Sequence, residues 1–318
     1  MSKAGDQSWT ASAADAGVRL DKFLAAADRL ESRGRAFAAL ERGKVFVNTA
    51  EVGRTDAARK VERGDVVRVW MDRPGSSAKR PSALKFGDLH ILYEDEALIV
   101  VDKPAGLLAV PLPRRAEAPS VYDLIEVRLR HRGKRKPFIV HRIDRDTSGL
   151  VVFAKNGGAQ AAIKDQFRRR EPERVYLAVV YGVPSPPRGT WEDTLVWDQR
   201  ALVQKETHPR DPRGKEAIAE YRVVEAFSGA GASLIEVRLR TGKRNQIRLQ
   251  ARLRGHTLVG EERYVYGPAE LRPIPFKRQA LHAARLEFLH PTDGRALVFE
   301  APLPPDMAAL VKELRAIR

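Results

Sequence analysis

The run at 141–155, HRIDRDTSGLVVFAK, constrains the fold of this chain more than any other segment. It opens as a polar turn that places the carboxylate of Asp144 beside an arginine and a histidine. It then passes directly into an apolar strand at 150–154. A group carried on such a turn is held rigidly at the edge of a core. A neighbouring guanidinium favours the charged form of a carboxyl group. Asp144 therefore reads as a nucleophile or charge stabiliser rather than a proton donor. Asp146 and Thr147 also suit the local side-chain bonds of an ordinary turn.

The same pattern of short strands continues around this run. Apolar segments at 97–101, 175–180, 217–224, 233–239 and 297–300 predict strands, and 159–167 predicts a helix. Strands with scattered helices argue for an α+β domain spanning 88–318, built on a mixed, mainly antiparallel sheet with flanking helices. A smaller α/β module is expected at 17–71. Leu20, Phe23, Leu24 and Ala27 share one helical face, 33–40 reads as a second helix, and 44–48 and 66–70 read as strands. Residues 1–16 are small and polar and predict a disordered tail. Residues 72–87, DRPGSSAKRPSALKFG, predict a flexible linker.

Charge and cysteine usage narrow the partners. Lys and Arg number 57 against 41 Asp and Glu, a net charge of +16. That excess attracts polyanions, nucleic acid first and an anionic membrane surface second. There is no cysteine, which excludes disulfides, thiolate nucleophiles and cysteine-bound metal and fits a reducing cytoplasm. The N-terminus carries no signal-peptide pattern, and the apolar stretches are too short to span a membrane. No phosphate-binding loop, metal-binding His-Glu-x-x-His helix or dinucleotide loop is present. The expectation is a cytoplasmic protein with no metal and no cofactor, acting as a monomer.

The 141–155 run closely resembles the catalytic motif of the RluA-type pseudouridine synthases. Segments at 102–108 (DKPAGLL), 174–182 (RVYLAVVYG) and 239–248 (LRTGKRNQIR) resemble further motifs of that family, in the family's order. So do 280–283, 289–291 and 301–304. Taken alone, 102–108 is a simple turn, and a lone strand tyrosine more often packs in a core than takes part in chemistry. The resemblance implies an RNA isomerase in which Asp144 is the catalytic residue. It further implies that Arg142 fills the space left by a flipped base, that Tyr176 stacks on the uracil, and that Arg248 pairs with the carboxylate. Ile247 would supply an apolar wall. The family's usual Thr and His are replaced by Arg244 and Asn245, two positions expected to face RNA.

The module at 17–71 resembles a small RNA-binding domain named after a small-subunit ribosomal protein. Arg19, Lys22, Arg33, Arg35, Arg42 and Lys44 would form its basic face. It departs at Thr49, where a hairpin glycine is usual, so the turn is expected to be reshaped. The runs at 128–136, with six Lys or Arg in nine positions, and at 168–174 suit backbone contact beside an RNA cleft.

Pseudouridine formation needs no redox change and transfers no group, which agrees with the lack of cofactor motifs. A single carboxylate serves either by adding to C1′, as in retaining glycosidases, or by promoting loss of the base. A uridine in folded RNA must first be flipped from its stack. The partner expected is structured RNA, large-subunit ribosomal RNA ahead of transfer RNA, with no membrane. Two other classes stay open on the residues. A non-catalytic RNA-binding or ribosome-assembly protein has no reason to combine Asp144, Tyr176 and Arg248. A glycosidase calls for a second carboxylate and an acidic cleft, against which the charge of +16 argues.

Overall fold

The computed structural model of the chain describes residues 6–41, 44–70, 89–111, 119–131, 136–199, 201, 203–265 and 268–317. The chain divides into two units, Met1–Ser82 and Ala83–Arg318. The expected linker at 72–87 and the basic-face residue Arg42 lie outside the described residues, as do 132–135 of the basic run at 128–136.

In the first unit, β1 (Asp6–Thr10), β2 (Val45–Val47), β3 (Ala50–Val52) and β4 (Val66–Trp70) form a sheet in the order β1-β4-β2-β3. Leu20, Phe23 and Leu24 of α1 (Leu20–Leu24) and Ala36, Ala39 and Leu40 of α2 (Arg33–Glu41) bury against Val45, Val47, Val67 and Val69. The composition of 1–16 predicts a disordered tail, yet β1 pairs antiparallel with β4, with Trp9 opposite Val67. An edge strand needs its backbone bonded on one side and an anchor. Trp9 supplies the anchor by packing on the unit's core.

The β2–β3 hairpin turns through Asn48 at φ 51° and Thr49 at φ 72°. Two successive positive φ values are those of a type I′ turn. Asn48 suits that role: its Oδ1 accepts from Val66 N–H at 2.9 Å and its Nδ2 donates to Asp65 at 2.6 Å. Thr49 does not, because a β-branched side chain is strained at positive φ. The turn is thus kept in form and strained, not reshaped. Thr49→Gly should raise stability by about 0.5–1 kcal/mol, after glycine's own entropy cost. An unchanged or lower midpoint in a chemical melt would contradict this.

The second unit contains an eleven-stranded sheet. Its strands are β5 (His90–Glu94), β6 (Leu98–Lys103), β7 (Phe138–Ile139), β8 (Ser148–Ala154), β9 (Glu173–Tyr181), β10 (Arg188–Asp198) and β11 (Val203–Glu206). They are followed by β12 (Lys215–Phe227), β13 (Ala232–Leu239), β14 (Leu281–Leu289) and β15 (Ala296–Glu300). The order is β11-β10-β12-β13-β9-β14-β8-β6-β5, with β15 on β14 and β7 on β8. The sheet is mixed and mainly antiparallel. Among the described strands only β8 and β14 pair in parallel, through Ser148–His282 and Gly149–Ala283.

Helices cover both faces, which is why the central strands read as unbroken apolar runs. Ile99, Val101, Val151, Phe153 and Tyr176 pack with α3 (Val121–His131) and α5 (Gln246–Leu253). Leu98, Val100, Leu150 and Val152 pack with α4 (Gly157–Arg169), while Val179 and Leu234 pack with α6 (Pro305–Ala316). Every residue of β8 is buried. Truncating one such side chain, for example Phe153, to alanine costs about 3–5 kcal/mol. The α4 helix starts where Asn156 accepts from Ala159 N–H at 2.8 Å, an N-cap bond.

Candidate active site

The turn between β7 and β8 carries Asp144, and it is held by two buried cations, Lys103 and Arg278, and by the half-buried His141. His141 accepts from Val152 N–H through Nε2 at 3.1 Å, and its ring stacks on Phe167 of α4 with centroids 5.0 Å apart. Lys103, fully buried at the end of β6, donates to the carbonyls of Pro104, Leu107 and Arg145 at 2.7–2.8 Å. Three acceptors call for three N–H donors, which only the ammonium form has. Burial works against that form and pushes Lys103 down to about 7, with Asp146 and Asp144 opposing. Arg278, paired with Asp306, donates to the Asp146 carbonyl at 3.0 Å. The 102–108 segment is therefore a clamp on the Asp144 turn as well as a turn itself.

Two side chains of the 240–250 segment converge on one oxygen of Asp144. Asn245 Nδ2 donates to Oδ2 at 2.5 Å and Arg248 Nη1 donates to the same atom at 3.0 Å. Arg248 is held in turn by Glu261, through Nε at 2.6 Å and Nη2 at 2.7 Å. Glu261 is wholly buried and also accepts from the N–H groups of Arg263 and Tyr264. Burial opposes the charge of Arg248, but its two carboxylate partners outweigh that and raise its value. Burial likewise opposes the Glu261 carboxylate, and Arg248 overrides it to hold the group below its usual range. The result is a shared cation between two anions, geometrically rigid because each end of the guanidinium fork is occupied.

A cleft of about 640 Å³ opens at this point. Its walls include Asp144, Tyr176, Ile247 and Arg248, and Arg142, an exposed residue, stands among them. Tyr176 is 8% exposed, and burial keeps its hydroxyl protonated by raising its value. Cations reach the same cleft from α4, β9 and the 240–243 loop: Lys164, Arg168, Arg170, Arg174, Arg240 and Lys243. The site thus joins an oriented carboxylate, an aromatic wall and a cationic rim, a combination suited to a nucleotide in a polyanion.

His141 gives the site a pH signature. Burial, with a smaller push from Arg174, lowers it from 6.5 to about 3. Its value in the folded chain lies below that in the unfolded chain, so the proton is taken up on unfolding. Stability should therefore fall as pH drops below about 6.5, by up to about 2 kcal/mol near pH 5. Part of the ring borders the cleft, where solvent reduces the effect. His141→Gln keeps an acceptor without the titration, and its stability should vary less between pH 6.5 and 5. An unchanged acid limb in the variant would rule this out.

The fold has known counterparts. Human RNA Pseudouridylate Synthase Domain Containing 4 superposes with a TM-score of 0.57 at 20% identity, covering 71% of this chain and 93% of that one. The human Domain Containing 1 protein gives 0.55 at 23% identity, covering 77% and 98%. Residues 97–253 match the family model described as RNA pseudouridylate synthase. An uncharacterized RNA pseudouridine synthase of Bacillus subtilis is 37% identical over 313 residues, 96% of this chain and 97% of the relative. The chain belongs to the RNA pseudouridylate synthase family. A protein named ribosomal large subunit pseudouridine synthase D, from Zymomonas mobilis, is likewise 37% identical, over 94% of each chain. The synthase is accordingly an isomerase.

The structure brings Arg142, Asp144, Tyr176, Ile247 and Arg248 of the synthase into one cleft. Both positions expected to face RNA, 244 and 245, also make contacts within the protein. Asn245 bonds Asp144 itself, and Arg244 lies over the Trp197 ring at 3.9 Å. Glu261 was not foreseeable as the support of Arg248, because no spacing in the chain signals that pair, whereas Lys103 and His141 lie in the motifs read from the sequence, with no supporting role assigned to them there. In the first unit, Arg19 and Arg33 both bond the buried Asp21, and Arg35 pairs with Glu31. Their side chains stay about half exposed or more, at 44%, 55% and 67%.

Proposed function

We propose that this synthase converts uridine to pseudouridine in large-subunit ribosomal RNA, with Asp144 as the catalytic carboxylate. The observation that carries the reading is the Asp144 carboxylate, fixed through one oxygen by Asn245 and Arg248 in a cleft rimmed by cations. In the reaction the C1′–N1 bond breaks, a C1′–C5 bond forms, C5 loses its proton and N1 gains one. Atoms and electrons balance within the nucleotide, so no cofactor is required. Asp144 acts at C1′ or as the base that promotes loss of uracil.

The target uridine leaves its stack at a cost of a few kcal/mol. Arg142, exposed at the cleft, fills the vacancy; Tyr176 stacks on the flipped base; Ile247 forms the apolar wall. The cations at the rim hold neighbouring phosphates, and Arg19, Lys22, Arg33, Arg35, Arg42 and Lys44 contact RNA from the first unit. The large-subunit assignment is supported by the printed name of the Zymomonas mobilis relative. The enzyme is read as a cytoplasmic monomer. Among the described residues no helix is long and apolar enough to cross a membrane.

Mapping pseudouridine in large-subunit and transfer RNA from cells with and without the gene tests this. Loss of one or a few sites in large-subunit RNA is the expected result. Losses confined to transfer RNA would overturn the substrate, and no loss in either would overturn the function.

A further inference from the structure

Asp144 has two carboxylate oxygens, and they are not equivalent. Oδ2 takes both donors, from Asn245 and Arg248. Among the described residues no side chain donates to Oδ1. What determines this asymmetry lies behind Asn245. Tyr264 donates its hydroxyl to Asn245 Oδ1 at 3.1 Å and accepts the Gln204 N–H of β11 at 2.9 Å. A backbone N–H can only donate, so the Tyr264 oxygen receives at that point and its hydrogen is free for Asn245. The asparagine oxygen is then the acceptor, and its NH₂ must face Asp144. The amide orientation follows from the network and needs no other assumption.

We propose that Gln204 N–H, Tyr264 and Asn245 form a directional, uncharged relay that positions Asp144, locking Oδ2 and reserving Oδ1 for the reacting uridine. This rests on Asp144 being the catalytic carboxylate. Asn245 is a positioning residue. It stands at the start of α5 in the left-handed region, at φ 52° and ψ 27°, where its side chain makes no cap bond to the helix. Asparagine tolerates that conformation. Gln246 ties down the preceding loop, its Oε1 accepting from Lys243 N–H at 2.9 Å. The relay also ties the β10–β11 hairpin to the reacting carboxylate, so an RNA that moves the hairpin would move Asp144.

Arg248 alone would leave the carboxylate free to rotate about its single bond. A second donor on the same oxygen removes that freedom. Because the second donor is an amide, the relay holds the carboxylate without titrating. The charged and titratable groups that face Asp144 are Arg248 from α5, Lys103 from β6, Tyr176 from β9 and Tyr264.

The test uses the full chain, in vitro transcribed large-subunit ribosomal RNA tritiated at C5 of uridine, and single-turnover tritium release across pH. Binding to the same RNA is measured in parallel. Asn245→Ala should slow the chemical step about tenfold to a hundredfold with RNA affinity within about threefold. Asn245→Asp puts a like charge against Asp144, so the acid limb of its rate profile should move up by about one pH unit or more. Tyr264→Phe should slow the step by less, and adding it to Asn245→Ala should give little further loss, because the two act in one chain. Single-turnover rates within twofold of wild type in Asn245→Ala, an unmoved acid limb in Asn245→Asp, or additive losses in the double variant would each overturn the relay. Should Asn245→Ala not fold, the Asn245→Asp profile decides alone. Asp144→Asn assayed alongside separates the claims: if it is active, the parent reading fails, whereas if it is inactive and Asn245 is indifferent, only the relay fails.

Discussion

Gly149→Ala should destabilise the second unit by more than about 4 kcal/mol and lower its melting temperature by about 10 °C or more. Two independent effects add. Gly149 has φ 111°, a backbone region that L side chains rarely adopt. A Cβ there would also lie 2.2 Å from the Ala283 carbonyl oxygen and 2.7 Å from its nitrogen. These are backbone atoms of β14, paired in parallel with β8, so they cannot yield without breaking the centre of the sheet. Gly255→Ala is the control. Gly255 also has positive φ, at 79°, but nothing lies within 4 Å of its Cβ position. That variant should lose only about 1 kcal/mol or slightly more. Equal losses at the two positions would show that the close approach of β8 and β14 contributes nothing.

The same glycine shows why part of this molecule was legible from its sequence. The 150–154 run is apolar throughout because helices bury both faces of the central sheet, and such runs announce themselves. Each strand predicted in the second unit forms, with ends shifted by up to a few residues. The α4 helix was readable from Ala159, Ile163 and Phe167 on one face. The site residues came through the family resemblance, which supplied Asp144, Tyr176 and Arg248 from segments far apart in the chain.

What escaped was burial achieved by polar groups. In α5, Gln246, Arg248 and Gln250 are all buried, yet their hydropathy is that of an exposed helix. Gln250 is satisfied by Trp191 and Ala217 carbonyls and by Asp193, partners known only once the chain has folded. The Asn245–Asp144 bond escaped for the same reason: the departure from the usual motif was visible, but its partner Asp144 lies 101 residues away. In the edge strand β1, only Trp9 breaks a polar stretch, too little to signal a strand. The β10 strand mixes charges with Trp191 and Leu195, because only part of it is covered.

Asp144→Asn tests the central claim most directly. The asparagine is nearly isosteric, and its amide oxygen can still accept from Asn245 and Arg248, so the cleft should remain built. The amide has no charge to stabilise C1′ and is neither a competent nucleophile nor a base. Tritium release from C5-labelled large-subunit ribosomal RNA, followed under single-turnover conditions, should fall at least about a thousandfold. The melting temperature and RNA affinity should stay close to wild type. Release within tenfold of wild type, from a variant that folds and binds, would contradict the account and remove Asp144 from the chemistry.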